Sequence, residues 1–250
     1  MVSNNPKLTI ILATLNAGAT IERCLQSVAD QSYQNYELII QDGVSCDDTL
    51  KKVERFTSLI DMNVESSRDG GIYGAWNKAL ARARGEWVMF IGADDYFPSD
   101  CTLADLLAFA SGEEADLITV RNAEVDDGCK VIRVYGEPWV WDRFRRFMSI
   151  CHVGLLHRKS LFDCHGRFDE QFRIAGDYEF LMRIGKQITA VDYDKVVACC
   201  GNEGVSHRRL VRAFSEAIWL QYRYKSTCVV ISAIRYGLFY LRFRVRNMFV

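Results

Sequence analysis

Residues 87–95, Trp-Val-Met-Phe-Ile-Gly-Ala-Asp-Asp, carry an unbroken apolar run straight into two adjacent carboxylates. Five large side chains without polar alternation predict a strand buried on both faces, as strands are inside a parallel sheet covered by helices. Toward the N-terminus, Leu-Thr-Ile-Ile-Leu-Ala at 8–13 and Tyr-Glu-Leu-Ile-Ile-Gln at 36–41 repeat the pattern. Each is followed by a helical pattern, over 19–29 and from Asp47, Asp48 and Thr49 to Phe56, and a short strand near 62–65 leads into a helix over 71–83. Toward the C-terminus, Thr102 stands three residues before Asp105 in capping-box spacing and starts a helix to about Ala110. Strands are then expected at 117–121, 131–135, 153–157, 188–191 and 196–200, with helices over 139–148, over 176–184 and from 208 to the end. Such alternation predicts an α/β fold: a mostly parallel, Rossmann-like sheet flanked by helices, with a C-terminal helical extension.

The 250 residues are 49% hydrophobic and 25% charged with only three prolines, which excludes a disordered or collagenous chain and suits one large domain with a tail. Charge divides the sequence. Residues 207–250 hold nine Lys and Arg against one acid, whereas the first 206 hold 22 against 31. That boundary predicts a main domain over 1–206 and a basic, aromatic helical extension over 207–250. Nine scattered cysteines without a CxxC pair read as reduced thiols rather than a disulfide scaffold or zinc site. The opening residues lack the apolar core of a signal peptide. The longest apolar stretch, 227–241, contains Arg235 and falls short of the ~18–20 residues of a spanning helix, so neither export nor a simple membrane span is expected.

Ligands of an open parallel sheet bind beyond the carboxyl ends of its strands. The loops at those ends carry Thr14-Leu15-Asn16, Asp42-Gly43, Ser67-Arg68-Asp69 and Asp94-Asp95, so three of the four bring a carboxylate to one edge. Any one of these acids is also an ordinary turn or cap residue; their recurrence at one edge points to a site. Side by side, Asp94 and Asp95 either repel until a divalent cation screens them, or divide into a turn cap before Pro98 and a solvated acid. Mg²⁺ or Mn²⁺ bound there would take its remaining ligands from phosphate oxygens and water, which points to a diphosphate. The chain has no GxxxxGK[ST] and no GxGxxG, and this disfavours a P-loop NTPase or a dinucleotide dehydrogenase.

Taken in order, Thr14-Leu15-Asn16, Asp42-Gly43-Val44-Ser45-Cys46-Asp47-Asp48-Thr49, Asp69-Gly70-Gly71-Ile72-Tyr73-Gly74-Ala75-Trp76-Asn77-Lys78 and Gly92-Ala93-Asp94-Asp95 resemble family 2 glycosyltransferases, which have the GT-A fold. His152, Gly166-Arg167-Phe168-Asp169-Glu170, Ala175-Gly176-Asp177-Tyr178-Glu179 and Gly204-Val205-Ser206 extend the likeness over residues 7–206. The combination is most like bacterial transferases that build exopolysaccharide, capsule or O-antigen units, the colanic-acid group among them. By this resemblance Thr14 and Asn16 line the nucleotide pocket, Asp42 accepts from a ring N–H of the base, and Asp69 holds the nucleotide or sugar. Asp94 and Asp95 would contact the donor, Asp95 coordinating the metal, and Asp177 would be the general base. Read alone, Asp177 is a helix cap. His152 reads equally as a diphosphate or acceptor contact and as a structural residue; His157, His165 and His207 read as structural, and Trp76, Trp139 and Trp141 as packing. Two departures stand out: Ser67-Arg68 replaces the family's common Ser-Glu, and Gly74 replaces an acid, so the resemblance assigns no donor contacts to those two positions.

The activity implied is inverting transfer of a sugar from a nucleoside diphosphate sugar, UDP-linked, to a glycan or lipid-linked acceptor, using Mg²⁺ or Mn²⁺, in bacterial surface polysaccharide synthesis. A catalytically inactive nucleotide-sugar-binding or scaffolding subunit of a polysaccharide assembly complex is the alternative. In the extension, Arg235, Arg242 and Arg246 share one helical stripe among aromatics. Such a helix either lies in a membrane interface, bringing a cytoplasmic enzyme to the inner face of the plasma membrane, or packs on the main domain or on a second subunit of a homo-oligomer. Nucleic-acid binding is not expected, because no recognised fold accompanies the charge.

Overall fold

The structure, a computed structural model, describes residues 5–201 and 210–246. Its elements run β1 (Leu8–Thr14), α1 (Ile21–Ala29), β2 (Tyr36–Asp42), α2 (Thr49–Glu54), β3 (Met62–Ser66), α3 (Ile72–Leu80), β4 (Trp87–Gly92), α4 (Thr102–Ser111), β5 (Leu117–Val125) and β6 (Val131–Tyr135). Then follow α5 (Trp141–Phe144), β7 (Leu156–Arg158), α6 (Lys159–His165), α7 (Gly176–Ile184), β8 (Ala190–Gly201), α8 (Leu210–Arg223) and α9 (Val229–Arg246).

The apolar runs became the centre of the sheet. Strand order is β3-β2-β1-β4-β7-β5-β6, with β8 on the other side of β5. β3, β2, β1 and β4 pair in parallel, as do β5 and β8, while β7 and β6 run against their neighbours. Six strands therefore point the same way. Alternating side chains feed two layers: Leu8, Ile10 and Leu12 pack with Ile21, Leu25, Leu103 and Leu106 on one face. On the other, Ile11, Val88 and Phe90 pack with Tyr73, Trp76, Phe180 and, from the extension, Ala217, Leu220 and Tyr236.

Local expectations needed four corrections. The strands expected at 188–191 and 196–200 are one strand, β8. Its register on β5 slips after Thr119↔Asp192 so that Arg121 faces Val196, and Arg121 bonds Asp192 at 2.8 Å and Asp194 at 3.0 Å across the irregularity. The helix expected over 139–148 is four residues long, because Arg143 and Phe144 accept turn bonds from Arg146 and Phe147 instead of continuing it. The strand expected at 153–157 shrinks to Leu156–Arg158 plus a bridge from Val153 to Phe90. Thr102 does not cap α4 but is its first residue; Ser99 Oγ takes the Cys101 amide at 3.2 Å, and Thr102 Oγ1 takes the Ser99 amide at 3.2 Å. The helical extension holds two helices, separated by a turn where Lys225 adopts φ +49°. Gly204-Val205-Ser206, His207, Arg208 and Arg209 lie outside the described residues.

Candidate active site

The ends of β1, β2 and β3 are level: Thr14 pairs with Asp42, and Asp42 with Ser66. Asp42 is fully buried there. Its Oδ2 accepts from the amides of Val44 and Ser45, both at 3.0 Å, and from Ser66 Oγ at 2.6 Å, while its Oδ1 accepts from Ser45 Oγ. A carboxylate offers about four lone-pair sites; here Oδ2 takes three donors, one of them from β3, and Oδ1 takes one. Asn16, at φ +50°, laces this loop to the one after β1: its amide donates to Ser45 Oγ and its Oδ1 accepts from the Cys46 amide, each at 2.8 Å. Thr14 is buried with Oγ1 unpartnered. Asp69 joins the group from the next loop. Its Oδ1 accepts from the Gly71 amide at 2.9 Å, and its Oδ2 lies so near Gly43 that a Cβ there would sit 3.0 Å away.

Beside Thr14, β4 ends in the acid pair. Both carboxylates close over Gly92: a Cβ on that residue would lie 2.7 Å from Asp95 Oδ2 and 2.8 Å from Asp94 Oδ1, which only glycine avoids. Asp95 is buried, accepts from the Gly92 amide at 2.8 Å, and neighbours the Cys200 thiol. Burial, then the Asp94 charge, pushes its carboxyl up to about 7, against the opposing pull of Cys200, the Gly92 amide and Arg23. Arg23 itself donates to the Asp94 carbonyl at 2.9 Å and lies over the Tyr96 ring. Two crowded carboxylates, one of them raised by burial and then by the charge of the other, are the donor chemistry a hard divalent cation relieves. Among the described residues no group of three or more His, Cys, Asp or Glu is arranged to hold a metal. Any cation here would therefore take most of its ligands from a bound diphosphate and water.

Helix α3 connects this edge to the remaining candidates. Asp177, second residue of α7, has Oδ1 2.8 Å from the Tyr178 amide and 3.2 Å from the hydroxyl of Tyr73 on α3, which also donates to the Ile174 carbonyl at 2.6 Å. Gly176 makes that approach possible, since a Cβ would lie 2.7 Å from the Tyr73 ring. Burial lifts the Asp177 carboxyl to about 6 despite the Tyr178 and Tyr73 hydrogen bonds. One turn further along α3, Trp76 stacks on His152 at 5.0 Å; Phe90 covers the imidazole from another side at 5.1 Å. His152 is buried with both ring nitrogens unpartnered, and burial lowers it to about 3, so it is neutral at physiological pH. Trp76 Nε1 is unpartnered as well.

The fold thus gathers Thr14, Asn16, Asp42 and Asp69 into one corner, in which Asn16 and Asp42 are joined through Ser45, and sets Asp94 and Asp95 just past the end of the adjoining strand. Asp177 is linked to them through Tyr73 on α3, and His152 through Trp76 on α3 and Phe90 on β4. Sequence reading gave no role to Tyr73, Arg23 or Cys200. Tyr73 stands inside the quoted 69–78 motif, but a tyrosine at a helix start signals nothing until its partner's position is known. A groove of about 620 Å³ elsewhere, lined by Arg84, Glu86, Arg158 and Lys159, opens near the amino-terminal ends of β4 and β1 and holds none of these residues.

An open sheet whose co-oriented strands bring acids to one edge, with a further acid on a helix set against it, is a GT-A-like arrangement. The profile of Glycosyl transferase family 2 matches residues 9–169, and the chain belongs to that family. It is 29% identical over 241 residues to a PGL/p-HBAD biosynthesis glycosyltransferase of Mycobacterium tuberculosis, covering 92% of this chain and 91% of that protein. The crystal structure of Staphylococcus aureus TarS 1–349 in complex with UDP-GlcNAc superposes with TM-score 0.73 at 23% identity, over 87% of this chain and 66% of that one. TarS is a poly(ribitol-phosphate) β-N-acetylglucosaminyltransferase. The mannosyltransferase PcManGT of Pyrobaculum calidifontis, in complex with GDP-Man and Mn²⁺, matches with TM-score 0.63 at 20% identity, over 87% of this chain and 65% of that one.

Proposed function

We propose that the protein transfers a sugar, with inversion, from a UDP-sugar to a glycan or lipid-linked acceptor in the synthesis of a bacterial surface polysaccharide. The observation that carries this reading is a crowded acid pair, Asp94-Asp95, at the carboxyl end of β4, together with a helix-borne acid, Asp177, tied by Tyr73 to α3. Donor binding falls to Thr14, Asn16, Asp42, Asp69 and Asp94. Contact between Asp42 and a ring N–H of the base would fall to Oδ1, which takes the Ser45 hydroxyl and has a second lone pair, and requires the loop over this buried carboxylate to shift. Asp95, with Asp94 beside it, would hold Mg²⁺ or Mn²⁺, which neutralises charge on the leaving diphosphate when bound.

Asp177 accepts the proton of the acceptor hydroxyl as that oxygen attacks the anomeric carbon opposite the departing diphosphate. A carboxyl near 6 is mostly ionised at neutral pH and still basic enough for the task. His152, uncharged and buried with both ring nitrogens unpartnered, has hydrogen-bonding capacity to give to diphosphate or acceptor once its cover shifts, not a positive charge. Support for UDP comes from the TarS complex, and support for a divalent ion from PcManGT.

The acceptor side meets a membrane in this reading. No helix of the described residues is long and apolar enough to cross one. On α9, however, Val230, Ile231, Ile234, Leu238 and Leu241 are exposed and fall within a helical sector of roughly 100°. Beside it, Arg143, Arg146 and Arg235 line a groove of about 450 Å³ floored by Phe147. Apolar side chains bordered by arginines match an anionic bilayer surface at the cytoplasmic face.

The deciding experiment is a thermal-shift panel of UDP-sugars with and without Mn²⁺, followed by UDP release. A metal-dependent shift and turnover with one sugar nucleotide supports the reading. A shift without turnover would favour an inactive binding subunit, and no shift with any nucleotide overturns both. For the membrane contact, Ile234→Asp with Leu238→Asp is expected to abolish sedimentation with phosphatidylglycerol vesicles; unchanged binding refutes it.

A further inference from the structure

Asp177 is aimed by the turn at residues 173–175, and that turn is held from outside the sheet domain. Glu216, on α8 of the C-terminal extension, turns its carboxylate onto three consecutive backbone amides: Arg173 at 3.1 Å, Ile174 at 2.9 Å and Ala175 at 3.0 Å. Arg212, one helical turn earlier, donates to Glu216 Oε1 at 2.9 Å. Successive amides converging on one oxygen form an anion nest, here filled by a side chain rather than a ligand. These donors outweigh partial burial and hold Glu216 below its ordinary range, so it stays ionised.

Two residues past the nest stands Asp177, and the Ile174 carbonyl within it accepts the Tyr73 hydroxyl. Glu216 therefore fixes both the helix start that carries Asp177 and the phenol that touches it. Its charge also acts on Asp177 directly, raising that carboxyl. The other charged or titratable groups around the turn are Tyr73 on α3, Arg173 in the turn, and Arg212 on α8. Glu170, on the preceding loop, is engaged with Asn77.

We propose that Glu216 is a positioning residue of the transfer reaction, through which the C-terminal extension completes the active site. This rests on Asp177 being the general base. A purely structural Glu216 would lower stability and leave the pH dependence of turnover alone, whereas a positioning residue whose charge acts on Asp177 moves both kcat and the acid limb.

The experiment uses the full chain and reads UDP release from UDP-N-acetylglucosamine, UDP-glucose and UDP-galactose with Mn²⁺, across pH 5 to 9. In Glu216→Gln, kcat is expected to fall about tenfold to a hundredfold. Donor KM should hold, and the acid limb should move down by about half a pH unit as the negative charge is lost. Glu216→Asp keeps the charge but is one methylene short of spanning three amides, so kcat falls and the limb stays. Wild-type kcat and limb in folded Glu216→Gln overturn the proposal. If that variant does not fold, Glu216→Asp decides: wild-type kcat overturns it, and lowered kcat with an unmoved limb supports it. Asp177→Asn separates the two readings, since wild-type turnover there refutes the base assignment itself, while an inactive Asp177→Asn with an unaffected Glu216→Gln refutes only the role of Glu216.

Discussion

Replacing Asp177 by Asn should make the protein more stable and inactive at once. The amide keeps an Oδ1 for the Tyr178 N–H at 2.8 Å and for the Tyr73 hydroxyl at 3.2 Å, so the local geometry survives. What changes is the charge. Lifting the carboxyl from 3.8 to about 6 means that the folded state disfavours the ionised form by about 3 kcal/mol at most, at about 1.36 kcal/mol per pH unit. Asp177 is only partly buried, and solvent screening brings the expected figure to about 1–3 kcal/mol. The sign follows from the raised folded value. Above about pH 6 both folded and unfolded chains are ionised and the penalty is complete; as pH falls through 6 toward 3.8 the folded form takes up its proton first and the penalty fades. Asn carries no such penalty at any pH.

The variant should therefore melt about 3–10 °C above wild type at pH 8, with the gap closing by pH 4. Turnover should fall by about 10²–10⁴-fold, the usual loss on removing a general base. Thermal denaturation at pH 8, 6 and 4, paired with UDP release, measures both. A variant less stable than wild type at pH 8, or one turning over within a few-fold of it, refutes the idea that this carboxylate is held in a costly environment for the sake of proton transfer.

Gly92→Ala places a methyl within 2.8 Å of an oxygen of each acid, so Asp94 and Asp95 must separate; Mn²⁺-dependent UDP binding, measured by calorimetry, should weaken about tenfold or more. Because Asp95 titrates near 7, protons compete with the cation, and the Mn²⁺-dependent part of UDP affinity should drop about tenfold between pH 8 and pH 6 while the metal-free part stays flat. His152→Phe keeps the stack between Trp76 and Phe90 and removes two unpartnered nitrogens, so the melting temperature should hold or rise while turnover falls at least about tenfold; unchanged turnover would assign His152 to packing alone.

Legibility in the sequence followed how local each decision was. β1, β2 and β4 were readable because both of their faces are buried, leaving continuous apolar runs. β5 was readable only to Arg121. Beyond it, Asn122 and Glu124 break the pattern, and they are tolerated because Asn122 donates to the Val153 carbonyl at 3.0 Å and Glu124 pairs with Arg133. Similarly, Asp192 and Asp194 looked like a break between two strands but are held in one by Arg121. The acids at the strand ends could be read because a strand's carboxyl end is a local fact. Glu216 could not, since nothing in a lone acid within a basic helix indicates that three amides forty residues earlier will turn toward it.

The density of motif residues between 69 and 77 has a geometric reason in α3. Asp69 closes the turn before the helix by taking the Gly71 amide; Gly71, at φ +117°, lets the chain enter with the Arg173 guanidinium so close that a Cβ would lie 2.9 Å from it. Positions 73, 76 and 77 then fall at three- and four-residue steps, which places them along one side of the helix. Tyr73 reaches Asp177, Trp76 reaches His152, and Asn77 takes the Phe168 amide on Oδ1 at 3.0 Å and donates to the Phe168 carbonyl at 2.9 Å. One short helix thus sets the distance between the corner that Asp69 belongs to, proposed for the donor, and the segment that carries Asp177, the proposed base. A substitution that rotated or shortened α3 would disturb both partners of the reaction together, whereas changes in the β1 and β2 loops should act on the donor alone. At Gly74 a Cβ would lie 3.3 Å from Glu170 Oε2 and 3.8 Å from Asp69 Cβ, so an acid at this position would face the carboxylate that Glu170 already supplies from the other side.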